Sequence, residues 1–159
     1  MKAYILRASG IDSLRIEDVP APGPLGPGQI RIAMRAASIN YRDVLTISGA
    51  MGPAGPQGLI PCSDGTGEIV EAAPDVTRLK VGDRVALNFN PDWIGGPFRA
   101  TAGARGRGST AVPGVMREEI VVHHSEALVF PSHLSFEEGA TFPCAGVTAW
   151  HALCGAAPL

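Results

Sequence analysis

The sequence predicts a mainly β fold: a partly open β-barrel of short strands, with short helices and a C-terminal helical segment. Three observations carry this. About six strand-like runs follow one another with turn signals between them. The 20 Gly and 14 Pro far exceed the usual combined share of roughly 12%, yet they are spread along the chain without a period, as in a turn-rich β architecture. Helical spacing enters only late, from Ser135 onward.

Ala3 to Leu6 reads as a first strand and Leu14 to Val19 as a second, with Gly10 to Ser13 as the turn. Pro20 to Gly28 cannot continue a ladder, because prolines lack the N–H donor and fix φ. Gln29 to Ile39 is the clearest strand: Ile30, Ile32 and Met34 share one face, and Arg31 and Arg35 the other. Tyr41 to Ile47 forms a short helix, with Asn40 as N-cap and Asp43 near its positive dipole end. Gly49 to Gly58 is a Gly/Pro loop, and Asp64 to Ala73 a further strand. Val76 to Asp83 is a turn anchored by Leu79 and Val81, and Arg84 to Asn90 is strand-like again. Pro91 to Gly114 has no period, and so long a connection in a compact domain is functional or mobile. Val115 to His124 and Ala127 to Phe130 recover strand character. Ser135 then caps a helix through Ala140, and Val147, Trp150, His151 and Cys154 begin another at helical spacing.

The 159 residues, 45% hydrophobic and 18% charged, suit one globular domain. A net charge of -2 gives no electrostatic reason to expect nucleic acid or an anionic membrane as partner. No run approaches the roughly 18 apolar residues of a membrane span, and no signal-peptide core follows Met1. Cys62, Cys144 and Cys154 form neither a CxxC pair nor an even framework, which suits a reducing, cytoplasmic setting. Gly103 to Gly108 has the wrong spacing for a phosphate turn and reads as a solvated loop.

Two polar corners stand out: Asn40-Tyr41-Arg42-Asp43, and Pro61-Cys62-Ser63-Asp64-Gly65-Thr66-Gly67-Glu68. Each joins an apolar run, and polar turns on a rigid scaffold are where sites are built. With Val81-Gly82-Asp83-Arg84-Val85, Glu118 to Val122, Leu134 to Ala140 and Pro143 to Trp150, they fall in the order seen in one known family. The chain resembles the N-terminal, GroES-like domain of the medium-chain dehydrogenase/reductase superfamily, and within it the zinc-independent quinone oxidoreductase branch. The resemblance covers nearly the whole chain.

What the resemblance implies about metal follows from the ligands. A catalytic zinc takes three protein donors and keeps a fourth position open. The zinc enzymes place a Cys where Asn40 stands and a His where Ser63 stands; only Cys144 keeps a ligand type. The lobe that holds a structural zinc would fall between Asn88 and Gly114, which contains no Cys. No metal is therefore expected.

The resemblance implies NADP(H) as cofactor, with Asn40, Tyr41, Arg42 and Thr148 around the nicotinamide and its ribose. Asn40 and Asp43 are the candidate catalytic residues. A plain helix cap and a first-turn acid are the alternative readings of the same two side chains. Tyr41 falls where zinc enzymes hold the pyrophosphate, and Arg42 at their proton relay. A guanidinium is not deprotonated in proteins, so water or another group must supply any proton. Met51 and Asp64 are the candidate substrate-binding residues. Ala50 and Met51 replace a Tyr that many relatives carry there, which implies a more apolar pocket or simple loop packing.

The expectation for the whole is one domain over residues 1–159, of which 138–159 begin the connection to an absent Rossmann half. It would be the substrate-side part of an oxidoreductase acting on a small carbonyl, alcohol or quinone, inactive alone. Its apolar face around Thr148 and Trp150 would meet that missing half or a second copy. A stand-alone binding or assembly module, without redox activity, is the other reading.

Overall fold

A computed structural model describes residues 1–55, 58–93 and 105–155. Strand β1 (Lys2–Leu6) pairs antiparallel with β2 (Leu14–Asp18) around a 3-10 turn at Ile11–Ser13. The remaining strands are β3 (Gln29–Ser38), β4 (Asp64–Ala72), β5 (Arg84–Leu87), β6 (Glu119–His123) and β7 (Ala127–Val129). They form one antiparallel sheet in the order β6-β3-β4-β5-β7. The two sheets do not close into a barrel among the described residues. They are laced by backbone bonds from Tyr4 N–H to the Met116 carbonyl and between Leu6 and Leu59 in both directions.

β3 and β4 make the spine. Apolar side chains at alternate positions of β3, Ile30 and Ile32, are fully buried, as the period-two pattern requires. Ile69, Val85, Leu87, Ile120 and Val122 complete the same core from the neighbouring strands. The β3–β4 ladder bulges twice, with Val70 the extra residue on β4 opposite Arg31 and Ile32, and Arg35 the extra residue on β3 between Met34 and Ala36. The bulges add twist, and the far ends of β3 and β4 deliver Asn40 and Ser63 to one end of the sheet. Gly67 is pressed against β3: a Cβ there would overlap the Ala33 carbonyl and the Ile32 side chain.

Helix α1 (Tyr41–Ser48) starts at Asn40 and ends at Gly49, whose φ of 86° gives the left-handed cap that glycine takes without strain. Helix α2 (Phe136–Ala140) carries a capping box in which Ser135 and Glu138 satisfy each other's backbone N–H. A π-helical turn, Phe142–Gly146, leads into α3 (Val147–Cys154).

Several expectations are corrected. β5 ends at Leu87 rather than Asn90, because Asn88 donates its side chain to the Asn90 carbonyl and turns the chain. β6 begins only at Glu119; Val115 to Glu118 instead lie against Pro61, Cys62 and Lys2. Val81 does not anchor its turn and is exposed, while Leu79 is buried. Within the long connection, residues 94–104 lie outside the described ones. The part of the Gly103–Gly108 stretch that is described is no solvated loop. Arg107 is 2% exposed and bound to Glu126 at 2.6 Å.

Substituting Gly67→Ala forces a methyl into backbone. It should lower stability by about 2 kcal/mol or more, read as an earlier urea midpoint at unchanged m-value. An unchanged midpoint would refute the close strand approach.

Candidate functional site

Asn40 follows β3 in extended conformation, and its backbone N–H donates to Asp43 Oδ2 at 2.8 Å. That bond draws Asp43 under the helix start, where it is wholly enclosed. Its other oxygen, Oδ1, and the Asn40 Nδ2 are sealed without a hydrogen-bond partner. Burial pushes the Asp43 carboxyl above the usual range, and the Asp64 charge adds to this. The Asn40 N–H and Arg42 pull the other way.

Asp64 opens β4 and is equally enclosed. Ser63 Oγ donates to its Oδ1 at 2.9 Å, and the Cys144 backbone N–H donates to its Oδ2 at 3.0 Å. Burial raises this carboxyl too, opposed by Ser63, Asn40 and the N–H groups of Cys144 and Ala145. Between the acids lies Cys62, buried and held at a φ of 66°. Its thiol is pushed up to about 12, chiefly by burial and then by the two carboxylates. A thiol so placed stays protonated, so it is no nucleophile.

Cys144 connects this buried group to open space. Burial and the Asp64 charge raise its thiol, while the Thr148 hydroxyl beside it draws it down. Cys144, Val147 and Thr148 form one wall of a cavity of about 400 Å³, and Asn88, Phe89, Asn90 and Trp93 form another. Its size is at the small end of ligand cavities, which run from about 300 to 1,000 Å³.

The predicted residues divide accordingly. Asn40, Asp43 and Asp64 come together in the buried group, and Thr148 joins them through Cys144 on the cavity wall. Asp64 lies beneath the cavity rather than lining it, with both carboxylate oxygens committed. Arg42 is fixed behind the wall, donating to the Arg107 carbonyl at 2.9 Å with its guanidinium 5.1 Å from the Phe89 ring centroid. Tyr41 and Met51 stand exposed and line no part of the cavity. The Asn88–Asn90 wall was missed in the sequence, although its polar-aromatic-polar corner after β5 repeats the signal of the two corners that were read.

Metal does not fit. Among the described residues no three His, Cys, Asp or Glu side chains converge to hold an ion. Ser63, at the imidazole position of zinc enzymes, is occupied in bonding Asp64. No described helix is long and apolar enough to cross a membrane.

A raised carboxyl binds its proton more tightly folded than unfolded. Its contribution to stability is therefore present at low pH and is lost as pH rises from the unfolded pKa, about 3.9, through the raised folded value. Asp43→Asn removes that titration while keeping an oxygen for the Asn40 N–H. Thermal unfolding at pH 3 and pH 8 should show the variant gaining on the parent at the higher pH. An equal difference at both pH values would contradict the raised carboxyl.

The profile of the alcohol dehydrogenase GroES-like domain family matches residues 26–132. A zinc-type alcohol dehydrogenase-like protein of Schizosaccharomyces pombe is 36% identical over 147 residues, covering 92% of this chain and 42% of its own length. The structure of an NAD-dependent alcohol dehydrogenase superposes with a TM-score of 0.81 at 30% identity, over 96% of this chain and 46% of that one. The quinone oxidoreductase of Coxiella burnetii gives 0.73 at 25% identity, over 96% and 44%. The chain thus spans under half the length of these proteins. It belongs to the alcohol dehydrogenase GroES-like domain family, the N-terminal domain of the medium-chain dehydrogenase/reductase superfamily.

Proposed function

We propose that this domain is the substrate-side wall of an NADP(H)-dependent, zinc-independent oxidoreductase that moves hydride between nicotinamide and a small carbonyl, alcohol or quinone. The observation that carries the reading is the buried group of Asn40, Asp43, Ser63 and Asp64 behind the Cys144–Thr148 wall. In zinc relatives that place holds a metal; here the Ser63 hydroxyl and backbone N–H groups bond two enclosed carboxyl groups instead.

The nicotinamide, when bound, supplies or accepts the hydride. Asn40 and Thr148 are the residues that would hold it, Thr148 through a hydroxyl and a methyl on the cavity wall. Tyr41, exposed at the helix start, would lie toward the rest of the dinucleotide. Asp43 acts as a positioning residue, fixing the Asn40 backbone. Arg42, held by the Arg107 carbonyl, contributes a permanent positive charge behind the wall and relays no proton. The proton that accompanies hydride comes from water at the cavity mouth. The mixed apolar and amide walls orient a flat substrate, with Trp93 at one rim, and fixed dipoles take the part that a Lewis acid plays in the cousins. Met51, on the loop after α1, would reach the substrate only from outside this cavity.

A nucleotide-binding half would cover the exposed apolar face of α3 and its surroundings. Val147, Trp150 and Leu153 stand uncovered there, Trp150 at 71% exposure. So large a set of bare apolar side chains on one short helix favours a permanent cover. A second copy of the chain is the other way to cover it.

Joined to the nucleotide-binding half of a structurally similar quinone oxidoreductase, the domain should support NADPH-dependent quinone reduction that chelators leave intact. The 159-residue chain by itself should show none. A folded, NADPH-binding chimera without turnover, or turnover abolished by chelation, would contradict the reading.

A further inference from the structure

Two residues that line the cavity, Asn88 and Trp93, also line a second hollow of about 350 Å³. Its other walls are Arg78, His124, Ser125 and Leu128, none of which lines the cavity. The two spaces therefore adjoin at Asn88 and Trp93. Their chemistry differs. The second one is walled by a guanidinium, an imidazole, a hydroxyl and an amide beside an indole and a leucine, with no carboxylate among its lining residues.

Hydrogen bonds place the Arg78 guanidinium at this hollow. Its Nη2 donates to the carbonyls of His124 at 2.7 Å and Ala127 at 2.9 Å. The head group is thereby anchored on the 3-10 turn His124–Glu126 and the start of β7, the same segment that supplies His124, Ser125 and Leu128 to the walls. Arg78 is exposed, and its Nε and Nη1 donate to no described residue. Among the described residues no ion pair balances its charge. The acids nearest to it in the chain are committed elsewhere. Asp75 accepts the Gly28 N–H with both oxygens, and Glu126 bonds Arg107 and the His123 N–H. The sequence at 56–57, 94–104 and 156–159 contains no Asp or Glu, so those segments hold no side-chain carboxylate to supply.

From this geometry we infer that the substrate is an elongated organic anion. Its flat head fills the cavity, and a carboxylate tethered to that head runs past Trp93 and rests on Arg78. Each space is near the lower limit for a ligand cavity, about 300 Å³, and a molecule that spans both gains the contacts of both. Indole and leucine suit the apolar tether, and a charge-assisted bond from the guanidinium suits its end. A single guanidinium balances a single negative charge, as a carboxylate carries. Arg78 is then a specificity-determining residue that touches the substrate far from the reacting carbon. The inference rests on the cavity being the substrate site, as proposed above.

Trp150→Phe leaves Trp93 as the one tryptophan of the chain, and its fluorescence reports a ligand in either space. Titrating that chain with 6-phenylhexanoate and with 6-phenylhexanol, which has the same head and tether without the charge, tests the inference. At low salt the acid should bind about fivefold more tightly than the alcohol. About 1 M salt should close most of that gap by screening. Arg78→Gln should remove the gap and leave the alcohol unchanged. Should that variant fail to fold, Ser125→Asp sets a carboxylate in the hollow while keeping an oxygen beside His123 Nδ1. It should reverse the preference. Equal binding of acid and alcohol, a preference indifferent to either substitution, or no saturable change would overturn the assignment. The binding needs no cofactor, so the two readings fail separately. A charge preference in the chain beside an inactive chimera sinks the redox reading alone, and an active chimera without that preference sinks this one alone.

Discussion

Two carboxyl groups, Asp43 and Asp64, sit wholly enclosed at one end of the sheet, and among the described residues neither belongs to a metal ligand set or to an ion pair. Burying an uncompensated charge is among the most expensive things a fold can do. Everything around the pair answers that constraint. Backbone N–H groups of Asn40 and Cys144 and the Ser63 hydroxyl bond the carboxyl oxygens, and burial favours the protonated form. These bonds also tie β3, β4 and the Phe142–Gly146 turn into one unit. The same contacts that settle the acids therefore fix the wall on which Thr148 stands.

A second enclosed charge shows the other solution. Arg107 is buried and paired with Glu126, while its carbonyl receives Arg42 and its N–H bonds the Phe89 carbonyl. This side chain locks the end of the long connection to the strand after β5 and so shapes the Asn88–Asn90 wall. One end of the cavity thus rests on protonatable acids and the other on an ion pair. Removing either partner of that pair would leave a buried charge behind, which is why such a residue reads as structural rather than solvated.

Much of the fold was legible because strand and helix periods are local. The β3 alternation, the Ser135 cap and the spacing of α3 all follow from neighbours in sequence. The two polar corners were legible for the same reason, as turn chemistry next to apolar runs. What escaped was set by contacts distant in sequence. Arg107 in a Gly-rich run looks solvated until Glu126 is brought to it by β6 and the turn that follows. Val81 looks like an anchor until Leu79 takes that place. Nothing local to Asp64 reveals that Cys144, eighty residues on, will cap its carboxylate. The location of Tyr41 and Met51 outside the cavity is likewise a matter of how α1 and the loop after it pack, which no short-range pattern encodes.

The account centres on acids kept comfortable by protons and hydrogen bonds rather than by an ion. Labelling the aspartate carboxyl carbons with carbon-13 and following them by NMR across the acidic and neutral range measures this directly, with and without added zinc. The account predicts two resonances, assigned to Asp43 and Asp64, that titrate above the ordinary carboxylate range and do not respond to zinc. Titration of both within the ordinary range, or a stoichiometric response of both to zinc, would contradict it.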